Sequence, residues 1–228
     1  MNRIVSLFVL LSLPALAVAD PPPAVADPPP VVADPPPVVR VLDASAALDA
    51  GIRVEGRPVA RVRFKDAKGE HVVVVTETEV VEAPPKKDHD GGGSKRLFAY
   101  QFEATKPGTY ALLWQVKDFV LDCPFDLTLS YVPSSLQVTD LDRDGIAETR
   151  FGYRLSCRSD VSPDTVKLIM HEGKEKYAIR GDARVAVGEE KGQLVYEGGK
   201  SERDASLARA PKAFAEAAQA DWDRWAGL

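Results

Sequence analysis

Residues 147–155 read Ala147-Glu148-Thr149-Arg150-Phe151-Gly152-Tyr153-Arg154-Leu155. Ala147, Thr149, Phe151, Tyr153 and Leu155 recur at every second position, and Glu148, Arg150 and Arg154 occupy the alternate ones. A period of two places the first set on one face of a β-strand and the charged set on the other. The same grammar extends outward in both directions. Residues 59–64 put Val62 and Phe64 opposite Arg61 and Arg63, residues 71–81 are rich in Val and Thr, and 97–102, 110–116 and 127–131 continue the pattern. Further runs lie at 166–170, 177–179 and 185–187. Lys68-Gly69 and Lys106-Pro107-Gly108 read as hairpin turns, and residues 83–95, with PP, KKDHD and GGGS, read as a loop. About nine to ten short strands with frequent turns predict a mainly β fold, α+β at the margin, built as an antiparallel sheet or sandwich. The exception is the tail. Pro211 suits a first helical turn, and Phe214, Ala218, Trp222 and Trp225 share one face of a predicted amphipathic helix at 211–225. Its polar face is mixed in sign, which favours packing on the sheet over membrane binding.

The chain has 228 residues, 45% hydrophobic and 28% charged, with a formal net charge of -5. A packed core is within reach, and the acidic balance argues against a nucleic-acid partner. Residues 1–19, MNRIVSLFVLLSLPALAVA, have a basic start, an apolar stretch and a small-x-small Ala17-Val18-Ala19 end, the form of a cleavable signal peptide. The apolar stretch is shorter than the roughly 20 residues of a spanning helix, and no transmembrane segment is expected in the mature chain. Export, periplasmic or secreted, follows as the expectation. Residues 20–40 repeat DPPPAVA, DPPPVVA, DPPPVV, and hold half of the chain's 18 prolines. Such a run is read as a polyproline II spacer of at most roughly 60 Å, with a ligand for a proline-binding groove as the alternative. The single globular domain is expected over 41–228.

Cys123 and Cys157 are the two cysteines. In an oxidising compartment they are expected to form a disulfide, and neither a CxxC nor a cysteine–histidine pattern supports a reactive thiol.

One stretch carries ligand chemistry. Asp140, Asp142, Asp144 and Glu148 stand at relative positions 1, 3, 5 and 9, with Gly145 at 6 and the Ile146 carbonyl available between them. Hard carboxylates converging from a tight bend suit Ca2+ as a structural cofactor. An EF-hand needs Glu at position 12, where this chain has Phe151, and the loop leads into a strand. The pattern resembles the DxDxDGxx(D/E) calcium loop of FG-GAP and related β-hairpin repeats. A metal-free Asx turn is the alternative.

Weaker candidates are Arg158, Asp160, Ser162 and Asp164, a polar loop read as a turn network or a glycan-binding edge. Arg180-Gly181-Asp182 is read as a turn at Gly181. Asp88-His89-Asp90 is read as a solvated loop, and His71 and His171 as packed or solvent-facing. No nucleophile elbow, zinc-protease, phosphate-loop or dinucleotide motif appears, so no catalytic residue is assigned.

WQVKDFVLDCPFDLTL (114–129), TDLDRDGIAE (139–148) and YRLSCRSDVSPDTVKLIMHEGKEKYAIRG (153–181) together resemble an exported bacterial family labelled surface polysaccharide biosynthesis proteins. The resemblance implies a place in the cell envelope and a link to polysaccharide, with an envelope protein or glycan as partner, but no reaction. The expected function is a non-enzymatic calcium-binding β domain of the envelope. Two alternatives stand beside it. An enzyme or enzyme subunit acting on surface polysaccharide would show exposed aromatics near paired carboxylates. A partner-binding or inhibitor module would show exposed apolar residues.

Overall fold

A computed structural model describes residues 36–85 and 91–227. The signal-like segment, most of the proline repeat and the Asp88-His89-Asp90 motif lie outside the described residues. The fold is mainly β, antiparallel throughout, with one C-terminal helix. In chain order the strands are β1 (Val38–Val41), β2 (Arg57–Asp66), β3 (Gly69–Glu77), β4 (Val81–Ala83), β5 (Gly92–Lys106), β6 (Thr109–Cys123) and β7 (Asp126–Tyr131). They continue as β8 (Gln137–Thr139), β9 (Glu148–Arg158), β10 (Thr165–Glu172), β11 (Glu175–Asp182), β12 (Val185–Glu190), β13 (Gln193–Glu197) and β14 (Ser201–Arg203). A short 3-10 turn (Leu207–Arg209) precedes helix α1 (Lys212–Trp225). The strands outnumber the nine to ten expected, chiefly because β1, β8, β13 and β14 are short or exposed and carry little periodicity. β1 begins at Val38, directly after the last triple proline.

Two six-stranded sheets carry the fold. The first runs β1-β2-β3-β5-β4, with β6 on the other edge of β5; the second runs β14-β11-β10-β9-β7, with β8 also on β9. Val62, Phe64, Val73, Val75, Trp114 and Val116 of the first sheet meet Leu129, Phe151, Tyr153 and Ile169 of the second in one core. The expected alternation of 147–155 is therefore the inner face of β9.

Each sheet is also covered on its outer face. Ile52, with Leu48 and Val54, lies over Val72, Val74, Phe98 and Tyr100. This is why β3 reads as an uninterrupted valine run rather than an alternating one, since both its faces are buried. On the second sheet, Phe214, Ala218, Trp222 and Trp225 of α1 pack on Val166, Leu168, Met170 and Ile179. Full burial of each large side chain contributes about 1.5–3 kcal/mol. The Arg154 guanidinium donates to the Trp225 carbonyl and satisfies an end group of the helix. Gly152 makes the close fit possible, because a Cβ there would lie 2.6 Å from the Trp225 ring.

At two places glycine marks a close backbone approach where the sequence predicts a loop or a turn. The GGGS stretch, expected in a loop, opens β5: a Cβ on Gly92 would come within 2.5–2.7 Å of the Asp122 and Cys123 backbone, so glycine marks a close approach of β6. Gly181, expected as a turn, lies inside β11, where a side chain would collide with the Lys200 carbonyl as the chain enters β14. Among the described residues no helix is long and apolar enough to cross a membrane.

Candidate metal centre

Thr139 and Glu148 are register partners of β8 and β9, so the acidic stretch is the connection of a β-hairpin. Arg143 and Gly145 turn it with φ of 64° and 82°. Two carboxylates brace the bend from within: Asp140 Oδ2 accepts the Gly145 N–H at 3.2 Å, and Asp144 Oδ1 accepts the Ile146 N–H at 2.7 Å. Glu148 is fully buried at the first position of β9. The Leu141 N–H donates to both its oxygens at 3.1 and 2.9 Å, and the Thr139 hydroxyl donates to Oε2 at 3.0 Å.

Glu172 also belongs to this centre, although the loop pattern does not include it. It ends β10 opposite Glu148 in the β9–β10 register. Ligand oxygens of Asp140, Asp142 and Glu148 lie within 4.8 Å of one another, as do those of Asp142, Asp144 and Glu172. Asp142 is common to both groups. Asp140 Oδ1 and Glu172 Oε1 are buried with no hydrogen-bond partner among the described residues. The spacing of 140–148 exposes four of these carboxylates to sequence reading. The fifth needs strand pairing, since Glu172 is remote in sequence and adjacent only through the ladder.

Among the described residues none of these carboxylates has a lysine or arginine ion-pair partner, so their charges act on one another. Burial, with the Asp142 charge as a lesser cause, pushes Glu148 up to about 7. Burial first, then Asp142, Asp144 and Asp140, pushes Glu172 up to about 7. Burial and Asp144 raise Asp142 as well. An all-oxygen acidic cluster of this kind can hold a hard cation.

Both glutamates rise from 4.5 in the unfolded chain to about 7 when folded. The folded state favours their neutral form, so their contribution is complete below about pH 4.5 and is lost as pH rises through about 7. Metal-free protein is expected to melt at lower temperature at pH 8 than at pH 5.5. Glu148→Gln should flatten that dependence, and an identical slope in parent and variant would overturn the assignment.

The polar loop after Cys157 is internally satisfied. Asp160 Oδ1 accepts the Ser162 N–H at 2.9 Å, Arg158 donates to the Ser162 carbonyl, and Asp164 takes Arg158 at 3.0 Å and the Ser156 hydroxyl at 2.7 Å. These bonds make a turn network. His71 and His171 are packed, at 3% and 4% exposure. Burial, then the Lys176 charge, lowers His171 to about 3, which keeps it neutral against Trp114 at a ring separation of 4.1 Å. Trp114, Trp222 and Trp225 are all buried and form no exposed aromatic platform. Leu112, Phe119 and Leu121 of β6, and Phe125 beyond it, are large apolar residues left exposed. Cys123 and Cys157 form a disulfide that joins the end of β6 to β9, and so ties one sheet to the other. No family model, no curated protein and no solved structure matches this chain.

Proposed function

We propose that this protein is an exported, non-enzymatic calcium-binding β domain of the cell envelope, associated with surface polysaccharide. The observation that carries the calcium reading is the pair of buried, unpartnered carboxylate oxygens, Asp140 Oδ1 and Glu172 Oε1, at the edges of two overlapping acidic groups. A buried acceptor without a donor is costly, and a cation supplies what it lacks. Asp140, Asp142, Asp144, Glu148 and Glu172 would ligate by carboxylate and Ile146 by its carbonyl. Calcium's tolerance of six to eight oxygens suits a set drawn from a bend and two strand ends better than magnesium's strict octahedron. The ion would stiffen the hairpin rather than activate a substrate. Export is supported by the signal-like residues 1–19, and by a disulfide of the kind an oxidising compartment favours. The envelope and polysaccharide link rests on the resemblance of 114–181 to the exported family.

The test is calorimetric titration of the metal-free mature chain with calcium and with magnesium, followed by thermal melts. Calcium is expected to bind, and at about a hundred times its Kd to add about 2.7 kcal/mol of stability. Asp142→Ala should abolish most of the heat, because Asp142 belongs to both groups, and Asp144→Ala should weaken it. Binding should strengthen from pH 6 to pH 8, as Glu148 and Glu172 lose the protons that compete with the ion. Absence of heat and of any melting shift in the parent would remove calcium from the function.

A further inference from the structure

The base of the acidic loop is fastened to the opposite sheet. At the β2–β3 turn, Asp66 Oδ2 accepts the Ala147 N–H at 3.0 Å, and the Ala67 N–H donates to the Gly145 carbonyl at 2.9 Å. Asp66 Oδ1 accepts the N–H groups of Lys68 and Gly69 at 2.8 and 3.2 Å and faces His71 Nε2 at 3.2 Å. The Asp66 side chain is only 3% exposed.

Behind Asp66 a row of polar side chains runs through the core between the sheets. His71 Nδ1 lies 3.3 Å from Gln101 Nε2. Gln101 Oε1 accepts from Trp114 Nε1 at 3.0 Å and from the Thr149 hydroxyl at 3.4 Å. An indole N–H can only donate. It therefore holds the Gln101 oxygen toward Trp114 and leaves the amide N–H to face His71. His71 Nδ1 then accepts, its proton sits on Nε2, and that proton points at Asp66. Each member sets the direction of the next, and the row ends at Ala147 N–H, one residue before Glu148. A second contact converges on the same indole, because Trp114 stacks on His171, the neighbour of Glu172.

We propose that the Trp114–Gln101–His71–Asp66 line is a positioning device for the cation loop, through which the first sheet holds the carboxylates of the second in binding geometry. The proposal rests on the calcium reading above. By linkage, whatever the line contributes to ion affinity, the ion returns to the line.

The test uses the mature full chain with calcium as the probe. Asp66→Asn keeps the size but has one acceptor oxygen, which cannot serve both Ala147 and the His71 side. Gln101→Leu keeps much of the volume and disconnects Trp114 from His71. Each is expected to raise the calcium Kd about tenfold, and the double variant to bind no worse than the weaker single, as members of one line do. The Trp114 indole N–H resonance should move on calcium addition in the parent and stay put in Gln101→Leu. Leu207→Ala, in the core under the helix, is the stability control, expected to lower the melting temperature and leave Kd within about twofold. Two variants that bind calcium like the parent would overturn the line, and so would losses that simply add in the double. A parent that binds no calcium sinks the ion itself, a result distinct from both. Should Asp66→Asn fail to fold, Gln101→Leu decides alone.

Discussion

Asp221→Ala is expected to cost about 3–5 kcal/mol, the range for removing one partner of a buried ion pair. Asp221 lies on α1 and Arg150 on β9, with Nε to Oδ2 at 2.5 Å and side-chain exposures of 8% and 4% for arginine and aspartate. Arg150 also donates to the Thr139 hydroxyl and to Gln137 Oε1, each at 2.7 Å, so the guanidinium is held by β8 as well as by the helix. Without Asp221 it stays buried with neutral partners only. The desolvation it underwent on folding is then uncompensated, and α1 loses its buried ion pair with the sheet. Asp221→Asn should lose less, because an amide oxygen can still accept. The double change Arg150→Met with Asp221→Leu should recover most of the loss, since apolar residues of similar volume commonly replace a buried pair at little cost. Urea denaturation measures all three. An alanine variant within about 1 kcal/mol of the parent would place this pair among weak surface pairs and contradict its burial.

Reduction of the disulfide is expected to cost about 4 kcal/mol on chain entropy alone for a sequence separation of 34. Its interplay with calcium is more informative. An ion that binds only the folded chain stabilises by an amount set by its concentration and Kd. A crosslink that acts only through the unfolded chain leaves that Kd unchanged, and the two losses then add. Here the closed segment includes β7, β8 and the whole acidic loop, and its far end is β9, the strand that carries Glu148. Reduction is therefore expected to loosen the folded loop itself. Thermal melts of oxidised and reduced protein, with calcium and with chelator, should show a combined loss smaller than the sum, because the loosened loop binds calcium more weakly and the reduced protein has less calcium stabilisation to lose. A strictly additive result would confine the crosslink's action to the unfolded state.

The strands that alternate were legible because one face meets a core and the other does not; 147–155 and 59–64 are of this kind. Legibility failed where a second layer changed the rule. Glu148 and Arg150 occupy the alternate face as expected, yet both are buried, because α1 and the acidic hairpin cover that side. Glycine misled for a related reason. In GGGS and at Gly181 it signals a neighbouring backbone rather than a turn, and only the tertiary approach reveals which. At the candidate site the local bend was visible from carboxylate spacing, but Glu172 was hidden by its distance along the chain. Asp66, His71 and Gln101 were hidden too, each looking like an isolated polar residue in a strand. Their common property, membership of one hydrogen-bonded row, exists only after the sheets have stacked.

The indole of Trp225 stands in the volume that a side chain at position 152 would need. Neither position is free to drift alone. A descendant of this chain that acquired alanine at 152 would have to trade the terminal tryptophan for something smaller in the same step or shortly after. The pair should therefore change together, as a correlated substitution, over the history of any lineage that keeps this fold.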